Sequence, residues 1–212
     1  LVFGFGQISR MLSETRQAVH EKAEILRQID QAHRRPYCEI ADLWCSQRFG
    51  NGVDPAVYSD LVAALQKPGT GLSPLAEAAL GRARALAAEY WFFHWELEFP
   101  EVFFDAQGRR PEGAGFDAVV GNPPWERIKL QENEFFALRD RAIALAPTAA
   151  KRKELVRELP GTNPDLWADY QAARQRAERE LAWVRQSGQF PLMGRGDTNL
   201  YAVFAERGRR LL

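Results

Sequence analysis

The sequence predicts a mainly α-helical chain with one short β element set among the helices. Three observations carry that prediction. Apolar residues recur at helical spacing over most of the chain. Ser, Thr, Pro and Gly stand at the starts and ends of those stretches. One short β-branched run, Ala118-Val119-Val120, stands apart, with a Gly/Pro loop before it and two prolines after it.

Residues 8–33 carry Ile8, Met11, Leu12, Val19, Ile25, Leu26 and Ile29 as an apolar stripe with polar flanks, and Pro36 is expected to stop that helix. Residues 37–48 read as a second helix, 50–55 as a break, and 55–66 as a third helix ended by Lys67-Pro68-Gly69. Ser73 suits an N-cap, with Pro74 at the first helical position and Glu77 completing a capping-box pattern, for a long Ala-rich helix over 74–95. Residues 107–115 are a polar loop leading into a strand over 116–120. Beyond it, 131–146 read as helical. A short charged helix over 151–158 is closed by Pro160-Gly161. A long polar helix over 164–187 has Leu166, Trp167, Tyr170, Leu181 and Trp183 as its expected buried side. Residues 187–197 form a loop, and Thr198 is placed to cap a final helix through Leu212. The expected organisation is a helical segment over 1–95, a strand and motif loop over 96–130, a helical insertion over 131–198 and a core helix over 199–212, truncated at its end. No internal repeat is present.

A chain of 212 residues can bury a core, as one large or two small domains. No apolar run approaches membrane-spanning length and no signal-peptide pattern opens the chain, so a cytoplasmic protein is expected. The two cysteines, Cys38 and Cys45, form no zinc spacing with His20, His33 and His94; they read as buried free thiols in a reducing compartment, and no metal is expected. Net charge is zero, but residues 1–125 hold 12 Lys and Arg against 16 Asp and Glu, whereas 126–212 hold 16 against 12. The mildly basic second half is compatible with nucleic acid, although a dedicated DNA-binding domain is far more basic. Both ends are apolar and no Met opens the chain, so the sequence reads as a piece of a longer protein.

The most informative residues are Asn122-Pro123-Pro124-Trp125, directly after Phe116-Asp117-Ala118-Val119-Val120-Gly121. The two prolines forbid further sheet pairing and force an extended loop. An amide and a large aromatic are then held at the carboxyl end of a strand, where open α/β sheets bind ligands. This arrangement suits attack by an exocyclic amino group. Such a nitrogen is flat and conjugated, hence a poor nucleophile. The Asn122 side-chain oxygen and a backbone carbonyl can accept its two N–H bonds and favour a tetrahedral, more nucleophilic geometry. Pro123 keeps its carbonyl as an acceptor while its ring fixes where that carbonyl points. Trp125 offers a flat face for the base. Core packing and loop anchoring compete for Trp125, but Glu126, Arg127 and Lys129 follow it and favour an outward indole.

The decapeptide Phe-Asp-Ala-Val-Val-Gly-Asn-Pro-Pro-Trp resembles the catalytic motif of amino-group methyltransferases. Upstream, Phe93-His94-Trp95-Glu96-Leu97-Glu98-Phe99-Pro100-Glu101-Val102-Phe103, and downstream, Asn199-Leu200-Tyr201-Ala202-Val203-Phe204-Ala205-Glu206-Arg207, resemble the large adenine-specific DNA methyltransferases of fused bacterial restriction–modification and phage-defence systems. The resemblance covers roughly residues 85–130 and 195–212. It implies an α/β (Rossmann-like) fold with helical insertions, of which this chain is a fragment. It also implies S-adenosylmethionine as cofactor, DNA as partner, and Asn122, Pro123, Pro124 and Trp125 as the catalytic motif, with Trp125 stacking on the target base. The family's Gly-rich cofactor turn is not evident: Gly4-Phe5-Gly6 lacks a preceding strand. The cofactor-binding strands are therefore expected upstream of this sequence, and the isolated chain is expected to be inactive.

Other candidates have plainer readings. The aromatic run 91–95 could line a base pocket, but aromatic stripes at helix ends are more often core, and His94 alone reads as structural. Glu98 and Glu101 lack the partner motifs of a nuclease or glycosidase. Lys151-Arg152-Lys153 and 207–210 could touch phosphate, but solvated faces are the better reading. Two further functions remain open: methylation of a protein glutamine or of RNA, whose enzymes usually carry Tyr at the aromatic position, and a non-catalytic helical interaction module.

Overall fold

The computed structural model describes residues 2–67 and 71–212. They form twelve α-helices: α1 (Val2–Arg10), α2 (Arg16–Ile29), α3 (Arg35–Ser46), α4 (Pro55–Gln66), α5 (Pro74–Tyr90), α6 (Trp95–Glu98), α7 (Pro100–Phe103), α8 (Glu132–Ala137), α9 (Arg141–Ala144), α10 (Ala149–Thr162), α11 (Pro164–Gln186) and α12 (Leu200–Leu211). Two compact units result, one made of the residues up to Val120 with Gly208–Leu212, the other of Gly121–Arg207. The boundary falls between the apolar run and the Asn-Pro-Pro-Trp loop.

In the first unit, the helix expected over 8–33 is two helices. Thr15 starts the second by accepting the Ala18 N–H at 3.1 Å. Pro36 does not stop it. A π-helical turn at Asp30–Arg34 leads directly into α3, and the Arg35 N–H reaches back five residues to the Asp30 carbonyl. Proline lacks an N–H and crowds the carbonyl four residues earlier, and the wider turn relieves that conflict. The stop expected at Lys67-Pro68-Gly69 lies partly outside the described residues. Ser73 does cap α5, its hydroxyl accepting the Ala76 N–H at 3.2 Å. Ala76, not Glu77, is the third helical residue. Glu77 donates its own N–H to the Ser73 carbonyl at 2.9 Å, so the reciprocal half of a capping box is not made. Helix α5 ends five residues before the expected 95, because Trp91 takes a left-handed backbone (φ 55°) and closes it.

The core of this unit is Leu43, Leu61, Ala76, Ala79, Leu80 and Ala83. Small residues on α5 let it pack closely on α3. Asn51 is buried at their junction and fully partnered. It donates to the Ala79 carbonyl (2.9 Å) and the Ser46 hydroxyl (3.0 Å), and it accepts from Arg82 (2.9 Å). The aromatic run divides. Trp91 is exposed, whereas Phe92 packs on Phe49 at 5.1 Å and Trp95 stacks on Phe99 at 5.9 Å. Phe116 joins Phe99 and the fully buried Phe103. His94 bonds Asp42 at 2.8 Å, tying this segment to α3.

The strand expected over 116–120 is not formed, and the described residues contain no strand. The Phe116 N–H donates to the Leu211 carbonyl at 2.7 Å, and a Cβ on Gly115 would lie 2.6 Å from that same oxygen. Past this anchor, Val119 is exposed and Val120 is 97% exposed. β-Branched composition suits a pleated, half-buried surface, but a strand exists only where a neighbour supplies its hydrogen bonds.

Both thiols are shifted by burial, Cys38 up to about 11 and Cys45 up to about 12. Below the ordinary thiol value of 9.0 neither state ionises and the full stability is present. Above it only the unfolded chain releases these protons, so stability falls as pH rises toward the folded values. The urea midpoint is expected to drop between pH 9 and pH 11; a flat profile there would contradict the burial of both thiols.

In the second unit, the stretch expected as one helix over 131–146 is two. Asp140 accepts the N–H groups of Ala142 and Ile143 and opens α9. Helix α10 starts at the Thr148 cap and runs through Pro160-Gly161, which does not close it as expected; it ends at Thr162. Proline there removes one helical donor but the turn persists, because Val156 and Leu159 hold it in the core. Asn163 caps α11, accepting from Leu166 at 3.1 Å. The core is Phe136, Ile143, Val156, Leu159, Leu166 and Tyr170, with Trp167 packed against it. Leu181 and Trp183 pack instead on a smaller cluster of Ile128, Val184 and Val203.

Candidate active site

The Asn-Pro-Pro-Trp loop lies on the surface of the second unit. Asn122, Pro124 and Trp125 are exposed and Pro123 is half-buried. Neither proline has an N–H, so this stretch offers carbonyl acceptors only. Among the described residues the Asn122 side chain makes no hydrogen bond, which leaves its amide oxygen uncommitted. Trp125 is 80% exposed and belongs to no core cluster. Its ring neighbour is Tyr201, with centroids 5.4 Å apart and planes tilted by 37°.

A short double seam holds the loop. The Glu126 carbonyl accepts the Leu200 N–H at 2.8 Å, and the Ile128 N–H donates to the Thr198 carbonyl at 3.2 Å. Between them, Arg127 and Asn199 form an antiparallel bridge, the one β-type pairing among the described residues. Arg127 also meets Asp197 at 2.9 Å, an exposed ion pair of small energetic weight. Ile128 is buried against Val184 and Val203. The structure thus brings together the motif and the block Asn199-Leu200-Tyr201, about 75 positions apart in sequence. Thr198 is not the cap expected for the last helix. Its hydroxyl is buried without a partner, and the Asn199 side chain accepts the Tyr201 N–H at 3.3 Å instead.

The loop at 187–199 that leads into this seam is clamped from α12. The buried Glu206 carboxylate accepts the N–H groups of Leu192 (2.9 Å) and Met193 (2.8 Å), one on each oxygen. Charge-assisted bonds of this kind are among the stronger ones in a fold. The Arg185 guanidinium donates to the Gly196 carbonyl at 2.6 Å. Gly194 sits where a Cβ would come within 2.5 Å of the Phe190 carbonyl and 2.7 Å of the Val184 carbonyl, so no larger residue fits without movement. Tyr201 and Glu206 are the residues that sequence reasoning did not assign. Both lie in the downstream block quoted for the resemblance, but no local pattern reveals what either one touches.

The other candidates fall away from this place. A cleft of about 230 Å³ in the same unit is lined by Ile128, Leu130, Tyr170, Arg174 and Leu181, with no motif residue in its wall. Four of its polar groups pair with one another, Tyr170 donating to Glu132 at 2.7 Å and Arg174 to Glu178 at 2.9 Å, and Lys129 also lines it. Glu98 pairs with Arg34, and Lys151 with Glu154. Gly4 and Gly6 lie inside α1, and a Cβ on Gly4 would meet the Ile29 side chain at 2.6 Å. Gly4 serves close packing of α1 on α2, and neither glycine forms a turn after a strand. Among the described residues no group of His, Cys, Asp and Glu could hold a metal ion, and no helix is long and apolar enough to cross a membrane.

Residues 42–153, more than half of the chain, match the model of a family described as Eco57I restriction-modification methylase. The match includes the Phe93–Phe103 block and the Asn-Pro-Pro-Trp loop. No curated protein and no solved structure matches the sequence.

Proposed function

The chain belongs to the Eco57I restriction-modification methylase family, and from that premise we propose that it carries the target-amine half of an adenine-specific DNA methyltransferase. The enzyme transfers a methyl group to the exocyclic amino group of adenine, in a bacterial restriction–modification or phage-defence system in the cytoplasm. One observation supports this reading most: an uncommitted Asn122 amide, two carbonyl-only prolines and an exposed Trp125 stand together on a loop pinned by the 198–200 seam.

In this reading the target adenine leaves the duplex, as it must for an enzyme acting on a base. Its ring stacks on the Trp125 indole. The Asn122 side-chain oxygen and the Pro123 carbonyl accept the two amino hydrogens, which orients the nitrogen lone pair and favours its tetrahedral form. Two acceptors held in place before the reaction need not reorganise as the nitrogen becomes tetrahedral. The methyl donor, S-adenosylmethionine, supplies an electrophilic carbon when bound. The described residues offer it no cradle: Gly4 and Gly6 are helical and no Gly-rich turn follows a strand.

Two measurements test the reading. Nucleoside mass spectrometry of DNA from cells expressing the full-length enzyme is expected to show N6-methyladenine, absent when Asn122→Ala is expressed. Methylation confined to RNA or to protein glutamine would replace the DNA assignment. Calorimetric titration of the 212-residue chain with S-adenosylmethionine is expected to give no saturable heat at micromolar concentration; saturable binding would place the cofactor site within these residues.

A further inference from the structure

Tyr201 lies outside the four-residue motif, yet it is the aromatic neighbour of Trp125. We infer that Tyr201 is a positioning residue: it braces one face of the Trp125 indole so that the opposite face stands ready for the flipped base. The inference rests on the stacking role proposed for Trp125.

Three features of the geometry support it. The ring separation of 5.4 Å lies within the range of favourable aromatic pairs. A base stacked between two rings needs about 3.5 Å, the carbon–carbon contact distance, on each of its faces. It cannot enter a gap of 5.4 Å between two rings and must use the indole face turned away from Tyr201. The backbones that carry the two rings are tied together, because the Leu200 N–H bonds the Glu126 carbonyl, each residue being next to one ring-bearing residue. The Tyr201 N–H is in turn held by Asn199. Finally, an indole that is 80% exposed has no other aromatic brace among the described residues. Left alone it would sample several side-chain rotamers, and binding would have to select one. The Tyr201 hydroxyl makes no hydrogen bond among the described residues, so the ring itself is the working part.

The test uses the 212-residue chain and a short single strand carrying one 2-aminopurine between thymines, which presents an unstacked adenine analogue without a recognition site. The wild-type chain is expected to quench the analogue, and Trp125→Ala to lose that quenching. Tyr201→Phe is expected to match wild type. Tyr201→Leu is expected to need about fivefold more protein for half-maximal quenching, with an unchanged thermal midpoint. If Tyr201→Leu matches wild type while Trp125→Ala does not, the bracing role is wrong and the stacking role stands. If Tyr201→Phe loses quenching along with Tyr201→Leu, the ring face is not what matters and the inference is overturned. If the wild-type chain gives no quenching, or Trp125→Ala retains it, the stacking reading fails and takes the inference with it.

Discussion

Under the proposed function, replacing Asn122 with Ala is expected to lower the methylation rate by on the order of a hundredfold or more, since one preorganised polar contact to a reacting group typically contributes that much. DNA affinity should stay near the wild-type value, because phosphate contacts by Lys and Arg dominate affinity and Asn122 carries no charge. The structure makes this substitution a clean probe. Asn122 is exposed and its side chain holds no partner among the described residues, so its loss leaves no buried group unpaired and should not move the melting temperature. Single-turnover methylation and filter binding at one salt concentration separate the two effects. A rate retained within about twofold would remove Asn122 from the catalytic machinery.

Phe136→Ala is expected to destabilise the Gly121–Arg207 unit by about 3–5 kcal/mol, the usual cost of emptying a fully enclosed aromatic site. Phe136 is wholly buried. Its ring lies 5.2 Å from Tyr170 and 4.9 Å from Phe135, inside the cluster that also holds Ile143, Val156, Leu159 and Leu166. Four helices share that cluster, so the cavity cannot close by a local shift. Leu138, two residues on, is 98% exposed, and Leu138→Ala should change stability by no more than about 0.5 kcal/mol. Urea denaturation of the two variants side by side decides the matter. Equal midpoints would mean that the α8–α11 cluster is not the core of this unit.

What the sequence determined by itself was local. A Ser73 hydroxyl before Pro74, and an amphipathic run from Pro164, specify where helices begin, because a cap and a helical stripe are satisfied within a few residues of chain. Pro-Pro excludes ladder donors from the motif loop in any surroundings. The Asn-Pro-Pro-Trp residues and the blocks around them pointed to a restriction–modification methyltransferase, and residues 42–153, which hold the motif and the upstream block, match a family of that class. Tertiary structure decided what depends on distant partners. Val119 and Val120 have the composition of a strand but no neighbour to pair with. Pro36 and Pro160 lie within helical stretches because a wide turn, in one case, and a packed core, in the other, compensate for a missing donor. Trp91 ends α5 through a left-handed backbone that no propensity requires of tryptophan. Above all, the meeting of Trp125 with Tyr201, and the Glu206 clamp on Leu192 and Met193, join residues that no sequence period connects. Such contacts form only when α12 docks on the Ile128 and Val184 cluster, and the burial that drives this docking belongs to the whole unit rather than to any stretch of it.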